Sequence, residues 1–239
     1  WATTCQEVDN TAGHNNQVWT YSPKKYWTPG NSYEFYAAYP YEQPYEFVDS
    51  SKFFTLKDFV VNNDTAKQVD LMIAERNYAS PNNVVELNFH HILSNVNFYA
   101  KVSSDVNPKE VTSVDIISLD VTGLLNKGTY TQTGWTSNHQ AVGAWETPAP
   151  QTKSDYYVFP AISGGQATPL QVGGNAYKDI ATDMLLMPQK LFYLNQDGYR
   201  AEQDPTIEVE FKVSYSDNTY QIFKRSLRLF IIHIKTSIM

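Results

Sequence analysis

The chain has 239 residues, a formal net charge of −7, 14% aromatic residues and a single cysteine. Its 18 Lys and Arg are scattered, the densest group being Lys224-Arg225 with Arg228, which argues against a nucleic-acid partner because phosphate binding needs clustered cations. One cysteine, Cys5, rules out an intrachain disulfide and weighs against a thiolate metal cluster, and no apolar run approaches the ~20 residues of a membrane-spanning helix.

With 17 Tyr against 11 Gly and no sustained 3.6-residue apolar period, the composition favours strands. The stretch to Asn16 is polar and expected to be loose. Nothing there resembles a signal peptide, so an exported form would already have lost its leader. Trp1-Ala2-Thr3-Thr4 before Cys5 lacks the small-residue pattern with Leu of a lipidation site, so Cys5 is not read as lipidated. From Val18 to Tyr39 aromatic and polar residues alternate around Thr28-Pro29-Gly30-Asn31, predicting a hairpin. Pro40 and Pro44 end that strand and leave Tyr41, Tyr45 and Phe47 in a loop. Phe53 to Val61 reads as a strand closed by Asn62-Asn63-Asp64.

Gln68 to Ala74 and Val85 to His91 form the next pair, separated by a turn at Ser80-Pro81-Asn82-Asn83. In the second strand Leu87, Phe89 and His91 share one face, and Glu86, Asn88 and His90 share the other. The phase then breaks, since Val96, Phe98 and Ala100 take the opposite parity. A bulge or short turn near Ser94-Asn95 would restore the packing. Val111 to Leu125 supplies a long strand with a kink or ending at Gly123. The stretch 128–153 is rich in Thr, Ser, Gly, Asn and Pro and reads as polar loop carrying Trp135 and Trp145. Thr147-Pro148-Ala149-Pro150 reads as an extended linker and a domain boundary. Tyr156 to Phe159 and Met184 to Met187 are strand candidates. Ile207 to Tyr215 turns at Ser216-Asp217-Asn218 into Tyr220 to Leu229, a hairpin with Ile207, Val209, Phe211, Val213 and Tyr215 inward. The ending, Phe230 to Ile234, is apolar.

No catalytic, cofactor-binding or metal-binding residue is expected, and no ligand contact is assigned. On a strand His90 and His91 point to opposite faces and cannot chelate one ion, so His91, on the apolar parity, reads as a hydrogen-bonded core histidine. His14, His139 and His233 have no ligand spacing. Asp70 reads as a strand-end carboxylate accepting backbone hydrogen bonds, and nothing pairs it with Glu75 as the acid and base of a glycosidase. Ser163-Gly164-Gly165 lacks the context of a nucleophile elbow, and Gly173-Gly174-Asn175 is no phosphate loop. No calcium loop of the D-x-[DN]-x-[DN]-G kind appears. Tyr39-Pro40-Tyr41-Glu42-Gln43-Pro44-Tyr45 either packs over the end of a sandwich or stacks on a glycan or protein. Trp135 and Trp145 leave the same choice.

Three patches carry a resemblance. The first is Gln68, Asp70, Leu71 and Ala74, followed after a turn by Leu87, Phe89, His91, Leu93, Ser94, Val96 and Phe98. The second is Tyr26-Trp27-Thr28-Pro29-Gly30 with Tyr33-Glu34-Phe35-Tyr36-Ala37-Ala38-Tyr39-Pro40. The third is Leu185-Leu186-Met187-Pro188-Gln189. In this order they resemble the fimbrillin-like surface proteins of Bacteroidetes, subunits and accessory proteins of a pilus assembled by strand exchange. The resemblance implies an all-β chain of two consecutive antiparallel β-sandwich domains, transthyretin-like with Greek-key topology, at residues 1–148 and 149–239.

It also implies a non-enzymatic structural or adhesive component of a fimbria on the cell surface, without cofactors. Its partners are then other fimbrial subunits joined by strand exchange, and host glycans or proteins. Attachment to the outer membrane would run through the fimbria or through a lipid anchor upstream of Trp1. The family's closing tryptophan, P-G turn and Y-x-Y strand are missing, so the second domain is expected to be incomplete or its final strands diverged, which puts a strand-donor role in doubt. A start at Trp1 without an evident leading strand suits an opened groove. The main rival is a non-polymerising carbohydrate- or host-binding module on the same fold, and a glycan-degrading enzyme ranks last.

Overall fold

The computed structural model describes residues 5–8, 18–21, 26–78, 85–107, 109–147, 153–161, 168–173, 176–189 and 205–228. The chain is all-β, built from antiparallel sheets. Near its start β1 (Cys5–Val8) pairs with β2 (Val18–Tyr21). The turn at Thr28-Pro29-Gly30-Asn31 forms: Asn31 N–H donates to Thr28 O at 3.2 Å, and Gly30 takes a φ of +84° that glycine tolerates. It does not close a hairpin, however. β3 (Tyr33–Tyr39) pairs instead with β6 (Met72–Tyr78), which pairs in turn with the short β7 (His90–His91).

β4 (Tyr45–Val48), expected as loop, pairs with β5 (Phe53–Val60) and extends a sheet containing β10 (Lys127–Trp135) and β11 (Ala141–Glu146). The Thr- and Gly-rich stretch is therefore a hairpin rather than a loop. Threonine is β-branched and fits a pleated surface, and Tyr130 and Gln132 bury on the inward parity while Thr131 and Thr133 face water. Gly143 lies where a Cβ would overlap the Tyr130 ring and come 2.8 Å from Thr131 O, so close strand approach excludes any side chain there.

A second layer pairs β8 (Ser94–Ala100) with β14 (Lys178–Leu186). Facing it is a wider sheet in the order β12 (Lys153–Phe159), β9 (Val111–Leu125), β15 (Thr206–Tyr215), β16 (Tyr220–Arg228), with the short β13 (Leu170–Val172) also on β9. β9 runs unbroken through Gly123 at φ +76°. The hairpin β15–β16 pairs in register from Thr206 opposite Arg228 to Ser214 opposite Tyr220. Opposite β15, β9 carries a bulge: Ser118 pairs with Glu210 and Ile116 with Phe211, which leaves Ile117 unpaired. This shift lets Val114 and Ile116 face the same way as Leu119 and Val121 despite their opposite parity.

Two expectations around β7 need correction. The strand expected over Val85 to His91 is confined to His90–His91: residues 85–89 take no strand and have no pairing among the described residues, so alternation in sequence did not supply a neighbour. The phase break falls at Ile92-Leu93, both buried, just before β8 buries Ser94, Val96 and Phe98. The turn expected at Ser80–Asn83 lies outside the described residues, as do Ser163 and the final apolar run.

The core joins Leu56, Leu71 and Ile73 to Leu124, Tyr156, Val158, Met184, Leu186 and Met187. Two glutamines from the motif patches act as side-chain imitations of a strand. Gln68 Oε1 accepts from Leu185 N–H at 2.6 Å while its Nε2 donates to Leu185 O at 3.0 Å. Gln189 Oε1 accepts from Leu125 N–H at 2.9 Å while its Nε2 donates to Leu125 O at 2.8 Å. A primary amide carries a donor and an acceptor side by side, so one Gln satisfies both polar groups of one backbone residue. Both clasps tie residues on opposite sides of the linker, and β9 pairs with β12, β13 and β15 across it as well.

Candidate docking site

Among the described residues an apolar concavity lies between the two facing layers. It encloses about 480 Å³ and is walled by Val209, Phe211 and Val213 of β15, Val114 and Ile116 of β9, and Leu227 of β16. The opposite wall is Phe98 and the segment after it, with Ile180 of β14. The inward parity expected for Ile207 to Val213 is the parity that lines it. Its cause is a mismatch of widths. The β8–β14 layer spans one inter-strand interval, whereas β12–β9–β15–β16 spans three. At about 4.8 Å per interval, roughly 10 Å of apolar sheet face lacks a covering strand among the described residues. Leu227 is accordingly 56% exposed, and Phe211 and Phe223 stack at 5.4 Å over the half-covered face. A partner that buried this surface would gain about 25 cal/mol per Å² of apolar area.

The outer face of the same sheet is polar and crowded with carboxylates. Burial, reinforced by Glu208 on the neighbouring strand, pushes the Asp120 carboxyl up to about 6, with Lys224 opposing. Lys224 Nζ stands 3.2 Å from Glu208 Oε2 and Lys212 Nζ 3.7 Å from Asp115 Oδ2.

The histidines occupy a different place from the one expected. His91 is exposed, with Nδ1 2.6 Å from Asp70 Oδ2, so it is no core histidine and Asp70 serves it rather than a strand end. His90 is the half-buried one. Burial first, and then His91 and His139, hold its imidazole below the usual value. His139, distant in sequence, places Nδ1 2.6 Å from Glu75 Oε1 and so fastens the β10–β11 turn to β6. Among the described residues no group of three or more His, Cys, Asp and Glu could hold a metal ion.

The aromatic residues divide. Tyr45 packs against Phe54 and donates its hydroxyl to Tyr39 O at 3.0 Å, and Trp145, on β11, donates Nε1–H to Ile92 O at 2.8 Å. Both belong to the packed structure. Trp135 packs against the core as well. Tyr39 and Tyr41 keep 49% and 73% of their surface in water. Sequence reasoning did not find the groove as a site, although the alternation of β15 signalled its wall. Which apolar face lacks a cover is a property of strand counts in two layers.

A family model described as fimbrillin-like matches residues 2–225. No curated protein matches the chain.

Proposed function

The chain belongs to the fimbrillin-like family, and from that membership we propose that it serves as a non-enzymatic subunit of a surface fimbria, joined to its neighbours by β-strand addition. The observation that supports this reading is the apolar face between β8 and β15–β16, which no strand covers among the described residues. An extended segment from another subunit fits such a place. Its backbone gains hydrogen bonds along a strand edge, and alternate side chains drop into the groove. Attachment at the outer membrane, through the fimbria or through a lipid upstream of Trp1, belongs to the same proposal. Among the described residues no helix is long and apolar enough to cross a membrane.

The test is the oligomeric state of the exported, processed protein by size exclusion with light scattering, with and without the segment ahead of β3. Polymers or ladders on trimming are expected, and a monomer in both forms sinks the stalk-subunit reading. A second reading, a stand-alone binding module for glycans or host proteins, draws on the water-facing rings of Tyr39 and Tyr41. It predicts glycan binding that Tyr41→Ala weakens without a change in oligomeric state.

A further inference from the structure

Resting on the strand-addition reading, we infer that the acceptor edge is the free side of β8, and that the incoming strand pairs with residues 95–101 rather than with β16. Two edges border the groove. β14 touches β12, which puts the side of β8 that has no partner among the described residues toward β15 and β16, over the face that no described strand covers. A strand added at that edge lies directly above Val209, Phe211 and Val213 and widens the narrow layer toward the width of its partner. A strand added to β16 would instead widen the sheet that is already wide and leave the groove empty.

The chemistry of the two edges agrees. β16 reads Tyr-Gln-Ile-Phe-Lys-Arg-Ser-Leu-Arg, with Lys224, Arg225 and Arg228 as the charged guards that edge strands use against unwanted pairing. β8 itself reads Ser-Asn-Val-Asn-Phe-Tyr-Ala without a charge, and the one cation of the 95–101 stretch, Lys101, follows its end with its ammonium 4.7 Å from the Tyr177 ring centroid. The partner is thereby specified: an extended segment with aliphatic residues at alternate positions, presenting them to the groove, and with neutral or polar residues between. Charged residues on the inward parity are excluded, because an unpaired charge buried against Val, Ile and Phe is costly.

Hydrogen exchange on the full chain tests the assignment, before and after assembly and with a probe peptide alternating threonine and valine between terminal lysines. The amides of residues 95–101 should slow by about tenfold on occupation while those of 221–228 stay unchanged. Slowing at 221–228 with β8 unchanged would keep strand addition and overturn the β8 assignment. Assembly without slowing at either edge overturns it too. If neither assembly nor peptide binding occurs, strand addition itself fails and the assignment goes with it. A pair of variants gives an independent readout. Tyr99→Lys, at a residue 54% exposed on β8, should block assembly with an unchanged melting temperature. Ile222→Lys, at a residue also 54% exposed but on β16, should leave assembly intact, and the reverse pattern refutes the assignment.

Discussion

At the scale of residues, the two His–carboxylate pairs and the carboxylate cluster on β9 and β15 show how far parity carries. Parity assigned His91 to the packed side because it shares a register with Leu87 and Phe89. Residues 85–89 are not held in a sheet, so the register does not propagate through them, and Phe89 is itself exposed. Asp120 illustrates the reverse. Its place on a polar sheet face follows from alternation, but its proximity to Glu208 comes from the register of β9 against β15, in which the two are direct partners. The carboxyl is lifted from 3.8 to about 6, so between about pH 4 and pH 6 the folded protein holds a proton there that the unfolded chain has released. Stability contributed by this site is therefore greatest at low pH, falls as pH rises from about 4 to about 6, and stays low above that. Asp120→Asn should raise Tm at pH 7–8 by about 1–3 °C, a modest figure because the half-exposed carboxylate is screened by water, and by much less at pH 4. Thermal melts of both proteins across that range check it.

At the scale of elements, the alternating strands β5, β9, β12, β15 and β16 were legible because each carries its own apolar period. β4 was not, because Pro40 and Pro44 mark a break just before it and its four residues carry no apolar period, and neither was the β10–β11 hairpin, whose threonines, glycines and glutamine hide the period that burial reveals. Family motifs gain a physical meaning at this scale. Gln189 follows β14 and clasps both polar groups of Leu125 at the end of β9, three residues past Thr122, where the pairing with β15 ends. Gln189→Leu should cost about 2 kcal/mol, the penalty for orphaning a half-buried N–H and C=O, and lower Tm by about 4–8 °C. Gln189→Glu keeps the carbonyl-type acceptor but loses the donor, and should fall between the two. Calorimetry on the three proteins ranks them.

At the scale of the whole molecule, the linker at Thr147 is crossed many times. β9 lies before it and pairs with β12, β13 and β15 after it, and Tyr156, Met184 and Met187 share one core with Leu56 and Leu71. Residues 1–148 alone would leave both edges of β9 bare and remove Tyr156, Val158, Met184, Leu186 and Met187 from the shared core. That fragment should show no cooperative thermal unfolding by circular dichroism, and co-expression with residues 149–239 should restore it. A cooperative melt of 1–148 by itself would support two separately folding domains.

The sequence by itself determined the class of structure and the absence of a recognisable catalytic signature. Period-two alternation, a high load of tyrosine and β-branched residues, scattered cations and three motif patches in order are all local or additive properties of a chain. The partners were decided only in three dimensions. Whether β2 joins β3 or β1, whether His139 meets Glu75, and whether an apolar face is covered all depend on contacts between residues far apart in sequence. The groove is the clearest case. Each strand around it satisfies its own pattern, and the groove opens because, among the described residues, the two facing layers contain different numbers of strands.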